Sequence, residues 1–396
     1  GEAAQRGGPA GGVVGAGDIS EVYLNAITRS SALELRAMAT RNPQAIAEKA
    51  GRFGARAVRV AELLADETIE LVVNLTPGIA HEEINAAALE AGKHVYSEKP
   101  FALSLAAARR LADLAARKGL LIGSAPDTFY GRAHQAARKA LDAGAIGRPV
   151  FGTSFLGLPG LELFHPSPEA FYRPGGEPPF DAGPYYTTMW INLLGPVKRV
   201  FSVSGAGHSE RRILRGPRQG TPFPVTVDTT FNTVLEFENA SVSFIISLDV
   251  VVPTLRPGEL FGSDGILAMA DPMFFGGEPA VVAPGAPREV LATADQGFAT
   301  PNRNDHTGRV VADYRGAGLV DLALAIRTGS KHRTGDDFIV HSVEVMEAIV
   351  KSASTRAVID LVSTCERPAT LDPQADAALI ALTASPFDLA ESAPAH

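Results

Sequence analysis

The stretch Val13-Val14-Gly15-Ala16-Gly17-Asp18-Ile19-Ser20 reads as the end of a strand, a glycine turn and the start of a helix. Its spacing fits G-x-G-x-x-G/A, with Ser20 small enough for the third place. In that pattern the first glycine makes the tight turn and the second lets the backbone approach a pyrophosphate. The following helix offers free N–H groups and a positive dipole end to the phosphates. Gly15, Gly17, Asp18 and Ile19 are therefore candidate contacts to a dinucleotide. Gly11-Gly12 falls inside the expected first strand, where glycine is poorly suited.

Outward from this turn, residues 13–125 alternate short apolar runs with helical stripes, which predicts parallel-sheet units. Strands are expected to end at Val13-Val14 and to occupy Leu33–Ala39, Glu70–Leu75, His94–Ser97 and Leu120–Ser124. Ser104 is placed to cap a helix running to Lys118, which Gly119 stops. Beyond residue 126 the texture changes. A helix near 133–143 is followed by strand-like runs at 150–155, 199–204, 226–237 and 241–251, the last two joined by the hairpin signal Glu238-Asn239-Ala240. The Gly- and Pro-rich stretches 205–225 and 272–310 read as loops, and Val340–Ser352 as a late helix. With 396 residues the chain is expected to form two domains. These are a dinucleotide-binding domain over 1–125, with 1–11 a flexible leader, and an α+β domain over 126–396 with a mostly antiparallel sheet.

The net charge of −8 argues against a nucleic-acid partner and against adhesion to an anionic membrane. The single cysteine, Cys365, excludes an internal disulfide and a Cys-rich zinc site, and a structural role suits its polar surroundings. The nine histidines show no metal-ligand spacing, so no metal is expected. No apolar run approaches the roughly 18 residues of a membrane-spanning helix. Gly1–Gly8 shows no signal-peptide pattern, and the chain reads as cytoplasmic.

At the end of the second strand an acidic residue normally holds the adenosine ribose 2′-hydroxyl. Here that place carries Thr40-Arg41-Asn42-Pro43. A guanidinium and a hydroxyl suit a 2′-phosphate, which a carboxylate would repel. The reading therefore leans to NADP(H) over NAD(H), with Thr40 and Arg41 as contacts. Thr76 and Pro77, on the exit of the third expected strand, are candidate contacts near the nicotinamide. His81 reads as a helix-surface residue and His94 as structural.

Ser97-Glu98-Lys99-Pro100 closes the fourth expected strand, and proline biases Lys99 away from helix. Lys99 is thus expected at the carboxyl edge of the sheet, where such folds bind ligands. Gly15-x-Gly17, Glu98-Lys99-Pro100 and Asp181-Ala182-Gly183-Pro184-Tyr185, in this order, resemble the Gfo/Idh/MocA family, named for glucose–fructose oxidoreductase and inositol dehydrogenase. The segments Gly92-Lys93-His94-Val95, Tyr314-Arg315-Gly316 and Ala325-Ile326-Arg327-Thr328-Gly329 extend the likeness over roughly 12–370.

The resemblance implies a Rossmann domain followed by an open, largely antiparallel sheet domain, acting on a carbinol carbon of a sugar or polyol. It implies that Glu98 and Lys99 sit at the cofactor and that Lys99 contacts substrate. It further implies that Asp181 and Tyr185 occupy a D-x-G-x-H-x-x-D motif, with Tyr185 in the histidine's place and Thr188 in that of the last acid. A Tyr with an ordinary pKa near 10 is a poor base, and a neighbouring ammonium would favour phenolate or alkoxide. Lys99, Tyr185 and Asp181 are the candidate catalytic residues, the last two expected on one face of a helix. Tyr186 and His165, the latter in Phe164-His165-Pro166, are candidate substrate contacts. Asp127 would touch substrate or cap the next helix. Family analogy implies a homodimer or homotetramer. Two rival readings are an enzyme that keeps NAD bound and oxidises transiently for glycoside cleavage or epimerisation, and a non-catalytic nucleotide-binding protein.

Overall fold

The computed structural model describes residues 8–294, 297–304 and 308–383. The chain forms two compact units. The described part of the first comprises residues 8–130, Tyr314–Val343 and residues 371–383. The second comprises Gly131–Asp313 and Glu344–Thr370.

In the first unit, β1 (Ala10–Val14), α1 (Asp18–Arg29), β2 (Glu34–Thr40), α2 (Ala47–Arg52), β3 (Arg56–Arg59), α3 (Val60–Ala65) and β4 (Leu71–Asn74) are followed by α4 (His81–Glu90), β5 (His94–Ser97), α5 (Leu105–Lys118) and β6 (Ile122–Ser124). The six strands form one parallel sheet in the order β3-β2-β1-β4-β5-β6. β1 and β4 are buried throughout, as strands covered on both faces must be. β3 has no counterpart among the expected strands. Its four residues, Arg56-Ala57-Val58-Arg59, lie at the sheet edge and are nowhere fully buried, so they carry no apolar run to detect.

The glycines of β1 have a packing reason. A Cβ on Gly12 would stand 2.8 Å from the Leu63 side chain of α3, so glycine lets that helix close on the strand. Ala10 and Gly11, assigned in sequence to a flexible leader, are paired strand residues. Ala10 N–H also donates to Glu70 Oε2 at 3.0 Å; residues 1–7 lie outside the described residues. α5 begins and ends as its sequence predicts: Ser104 accepts from Ala107 N–H at 3.2 Å, and Gly119 is left-handed at φ 65°.

The second unit opens with α6 (Arg132–Asp142) and β7 (Pro149–Gly157). It continues through α7 (Pro178–Asp181), α8 (Gly183–Leu194), β8 (Arg199–Gly205), β9 (Glu210–Arg212), β10 (Pro222–Pro224), β11 (Thr230–Glu236) and β12 (Ser241–Ser247). Then come β13 (Gly258–Gly262), β14 (Ile266–Ala268), β15 (Ala280–Val282), β16 (Glu289–Val290), β17 (Arg303–Asn304) and β18 (Val310–Val311). After the return to the first unit with α9 (Ala317–Thr328), α10 (Asp336–Thr355) leads to β19 (Ile359–Asp360). Nine strands form one sheet, β16-β15-β14-β13-β7-β12-β11-β8-β19, antiparallel except for β7 with β12. The hairpin at 238–240 joins β11 to β12 as expected. The stretches 205–225 and 272–310 are not simply loops: β9 pairs with β10, β15 with β14 and β16, and β17 with β18. These strands have two or three residues each, too few for alternation to register.

α8 lies on the nine-stranded sheet through Trp190, which is fully buried. Cβ atoms on Gly152 and Gly258 would stand 2.8 and 3.5 Å from its indole, so two small residues make its seat. Among the described residues, no helix is long and apolar enough to cross a membrane.

Candidate functional site

The turn between β1 and α1 has a conformation that glycine alone supplies. Gly15 has φ +103°, and a Cβ there would stand 2.6 Å from the Leu75 carbonyl oxygen, so only glycine fits. Gly17 caps α1 with no side-chain hydrogen bond, leaving first-turn N–H groups to a ligand. A Cβ on Gly17 would meet nothing within 4 Å, so the open side of the turn lies there. Asp18 is exposed beside it and Ile19 half-buried. Ser20 is buried, and its hydroxyl donates to the Gly17 carbonyl at 2.6 Å, which closes the turn from below. β1 and β4 are neighbours whose crossovers run to opposite sides, so the turn after β1 and the Thr76-Pro77 turn after β4 flank the switch point where such sheets bind ligands.

At the end of β2, Thr40 donates its hydroxyl to the Asn42 carbonyl at 2.9 Å, and Arg41 is exposed. A residue that the sequence does not single out approaches the glycine turn: Lys49 of α2 places Nζ 3.2 Å from the Ala16 carbonyl and 3.3 Å from Ser20 Oγ.

Lys99 stands two residues beyond the end of β5, and its bond to Pro100 is cis. Glu98 is 8% exposed, and both its oxygens are engaged within this unit. Oε1 accepts the Tyr23 hydroxyl at 2.8 Å and Oε2 the Lys99 amide at 2.9 Å. Its carboxylate thus anchors the backbone of Lys99. His81 corrects its expected surface position: it is 1% exposed, with Nδ1 and Nε2 each 2.6 Å from the carbonyl oxygens of Pro100 and Thr76. It opens α4 and points back between the two turns, an orientation that helical spacing does not reveal. Burial pushes its imidazolium pKa down. Asn74 Oδ1 accepts from the Thr76 amide at 3.2 Å and hydroxyl at 2.7 Å, and its Nδ2 donates to Asn85 Oδ1 at 2.8 Å. The turns bearing Lys99 and Thr76 are therefore tied to one buried polar network. His94 is structural as expected, its Nδ1 accepting the Leu121 amide at 2.9 Å.

Asp127 is 1% exposed, and its Oδ2 accepts the amides of Gly316 and Gly318, both at 2.9 Å. It caps α9, a helix far from it in sequence. No local pattern could have signalled a partner 189 residues away.

In the second unit, Asp181 and Tyr185 do not share one helix. Asp181 ends α7 and Tyr185 lies in the first turn of α8, with Ala182 between. Pro184 explains the break, since it lacks an N–H and its ring crowds the carbonyl four residues back. Tyr185 is 7% exposed and Asp181 half-buried. Tyr186 is 2% exposed and stacks on Phe244 of β12, with centroids 5.5 Å apart and planes 16° from parallel. Burial raises its hydroxyl pKa well above the ordinary value. The Thr188 hydroxyl donates back to the Pro184 carbonyl at 2.7 Å.

His165 is half-buried, its ring edge-on to Phe171 and its Nδ1 accepting the Ser167 amide at 3.0 Å. Its loop is held by Arg211, buried over the Tyr172 ring, which donates to Glu162, the Pro159 carbonyl and Asp249. Among the described residues, no group of three His, Cys, Asp or Glu could hold a metal ion.

Residues 11–125 match the model of an oxidoreductase family with an NAD-binding Rossmann fold, and residues 134–268 match the GFO/IDH/MocA C-terminal domain. The 1,5-anhydro-D-fructose reductase of Ensifer adhaerens is 32% identical over 147 residues, 36% of this chain and 44% of that protein. Levoglucosan dehydrogenase of Pseudarthrobacter phenanthrenivorans is 28% identical over 224 residues, 53% of this chain and 57% of that protein. The chain thus spans about half the length of the curated relatives it matches. Among solved structures, a levoglucosan dehydrogenase in complex with NADH and L-sorbose shares the fold. Its TM-score is 0.74 at 21% identity, covering 90% of this chain and 99% of that one.

Proposed function

Because the chain belongs to the Gfo/Idh/MocA oxidoreductase family, we propose that it transfers a hydride between a nicotinamide cofactor and a secondary hydroxyl or ketone carbon of a sugar, glycoside or cyclitol. The observation that carries this reading is the open, uncapped glycine turn at the switch point of a doubly wound sheet, with Lys99 on the exit of the strand beyond it. The activities for which two relatives are named, 1,5-anhydro-D-fructose reductase and levoglucosan dehydrogenase, support a sugar-like substrate.

Gly15, Gly17, Asp18 and Ile19 would hold the pyrophosphate, and Thr76 and Pro77 would border the nicotinamide. The bound nicotinamide supplies or accepts the hydride. Oxidation of a carbinol also requires its hydroxyl proton to leave. Tyr185 takes that proton, or returns it in the reducing direction. The Lys99 ammonium stabilises the phenolate or the alkoxide, and Asp181 orients the hydroxyl. Glu98 acts through Lys99, whose amide it holds. His165 is a substrate contact.

The lack of a carboxylate after β2, where Thr40 and Arg41 stand, supports NADP(H) over NAD(H). The open face of the nine-stranded sheet exposes Phe151, Phe201, Val203 and Val234, each above 40%, which supports a homodimer or homotetramer. The enzyme is assigned to the cytoplasm.

The test is production of NAD(P)H over a panel of pyranosides and cyclitols with both cofactors. Lys99→Met and Tyr185→Phe are each expected to lower turnover by orders of magnitude while cofactor affinity holds. Wild-type turnover in both variants would remove the assignment.

A further inference from the structure

Lys49 sits where two parts of the nucleotide site adjoin. Gly15 N–H donates to the Ala39 carbonyl at 3.0 Å, so the glycine turn lies against the end of β2. The 2′-position of the adenosine ribose belongs at that strand end. Lys49 reaches the next residue of that turn from α2, its Nζ bonded to the Ala16 carbonyl and to Ser20 Oγ.

An ammonium has three N–H donors. Two are spent on those oxygens. Among the described residues, Glu21 offers Nζ a carboxylate oxygen at 3.9 Å, too long for a hydrogen bond. That carboxylate is also engaged by Arg52. One donor of Lys49 is left over, and its charge is only partly offset. Thr40, by contrast, has already given its hydroxyl proton to Asn42. Among the described residues, Arg41 and Lys49 are cationic donors here with no carboxylate at hydrogen-bonding distance.

Resting on the cofactor preference proposed above, we infer that Lys49 is a second cationic contact, beside Arg41, to the 2′-phosphate of NADP(H). A ribose hydroxyl would accept one hydrogen bond from this ammonium, with no opposite charge to meet it. A 2′-phosphate, carrying close to two negative charges, accepts one in which both partners are ionised and adds a direct charge–charge attraction. Lys49 therefore discriminates between the cofactors while the glycine turn binds what they share.

The experiment is calorimetric titration of the full chain with 2′,5′-ADP and with 5′-AMP, repeated with NADPH and NADH. It compares wild type, Lys49→Leu, Lys49→Gln, Lys49→Arg and Arg41→Leu, with thermal unfolding checking the fold of each. The wild type is expected to favour 2′,5′-ADP. Lys49→Leu and Lys49→Gln should weaken 2′,5′-ADP on the order of tenfold and leave 5′-AMP within about twofold. Lys49→Arg should retain most of the affinity. If Arg41→Leu loses the preference and neither neutral Lys49 variant does, the inference about Lys49 falls and the NADP(H) reading stands. Equal weakening of both nucleotides also overturns it, since Lys49 would then only brace the turn. A wild type that treats both nucleotides alike overturns the cofactor reading and this inference together.

Discussion

Replacing Tyr23 by Phe removes one hydroxyl and nothing else, and its cost follows from what that hydroxyl holds. The bond to Glu98 Oε1 is 2.8 Å long, with Tyr23 0% and Glu98 8% exposed, so water does not replace the lost partner. A buried hydrogen bond to a charged acceptor contributes roughly 1.5–3 kcal/mol, so about 2 kcal/mol is expected. In a unit of this size that lowers Tm by roughly 4–8 °C. Glu98→Gln perturbs the same bond and the one to the Lys99 amide. The two substitutions should therefore couple by about 1 kcal/mol or more in a double-mutant cycle. The assay is urea unfolding of the two single variants and the double variant, with turnover and NADPH affinity measured on each. Because Glu98 reaches the chemistry through the Lys99 backbone, Glu98→Gln should lower turnover about tenfold or more and leave NADPH affinity within about twofold. Additive effects, or a Tyr23→Phe cost under roughly 0.5 kcal/mol, would refute the anchoring argument.

Gly15 and Gly17 should separate folding from binding. Gly15→Ala meets both a left-handed φ and the Leu75 carbonyl, so it should lower Tm and weaken NADPH together, at a cost of roughly 1–3 kcal/mol for the strained backbone alone. Gly17→Ala meets no protein atom, so Tm should hold while NADPH affinity falls at least tenfold; unchanged affinity would place the pyrophosphate elsewhere. His134 sets an acid limit on the second unit. Burial lowers its pKa to about 4 from an ordinary 6.5, so the unfolded chain binds the proton first. Its contribution is complete above pH 6.5 and is lost as pH falls towards 4, a decline of roughly 3 kcal/mol. His134→Gln should flatten the dependence of Tm on pH across that window, and an unaltered slope would exclude the effect.

Much of the first unit was legible because its signals are local. The glycine turn, the Ser104 cap and the Gly119 stop each depend on a few adjacent residues. β5 is a short segment, His94-Val95-Tyr96-Ser97, marked by the Glu98-Lys99-Pro100 that follows it. β3 escaped because an edge strand of four residues needs no apolar run, and β9, β10 and β15–β18 because two or three residues show no period. The break at Ala182 was written in Pro184, yet the four-residue spacing of Asp181 and Tyr185 masked it.

The amino-acid order alone determined where the glycine turn and the lysine-bearing strand end lie, because backbone conformation at glycine and proline is a property of the residue and its neighbours. Only the folded chain decided what Glu98, His81, Asp127, Tyr186 and Lys49 do. A buried carboxylate, imidazole or phenol takes its role from the partner that compensates its desolvation. For Glu98 and Asp127 that partner is 75 and 189 residues distant.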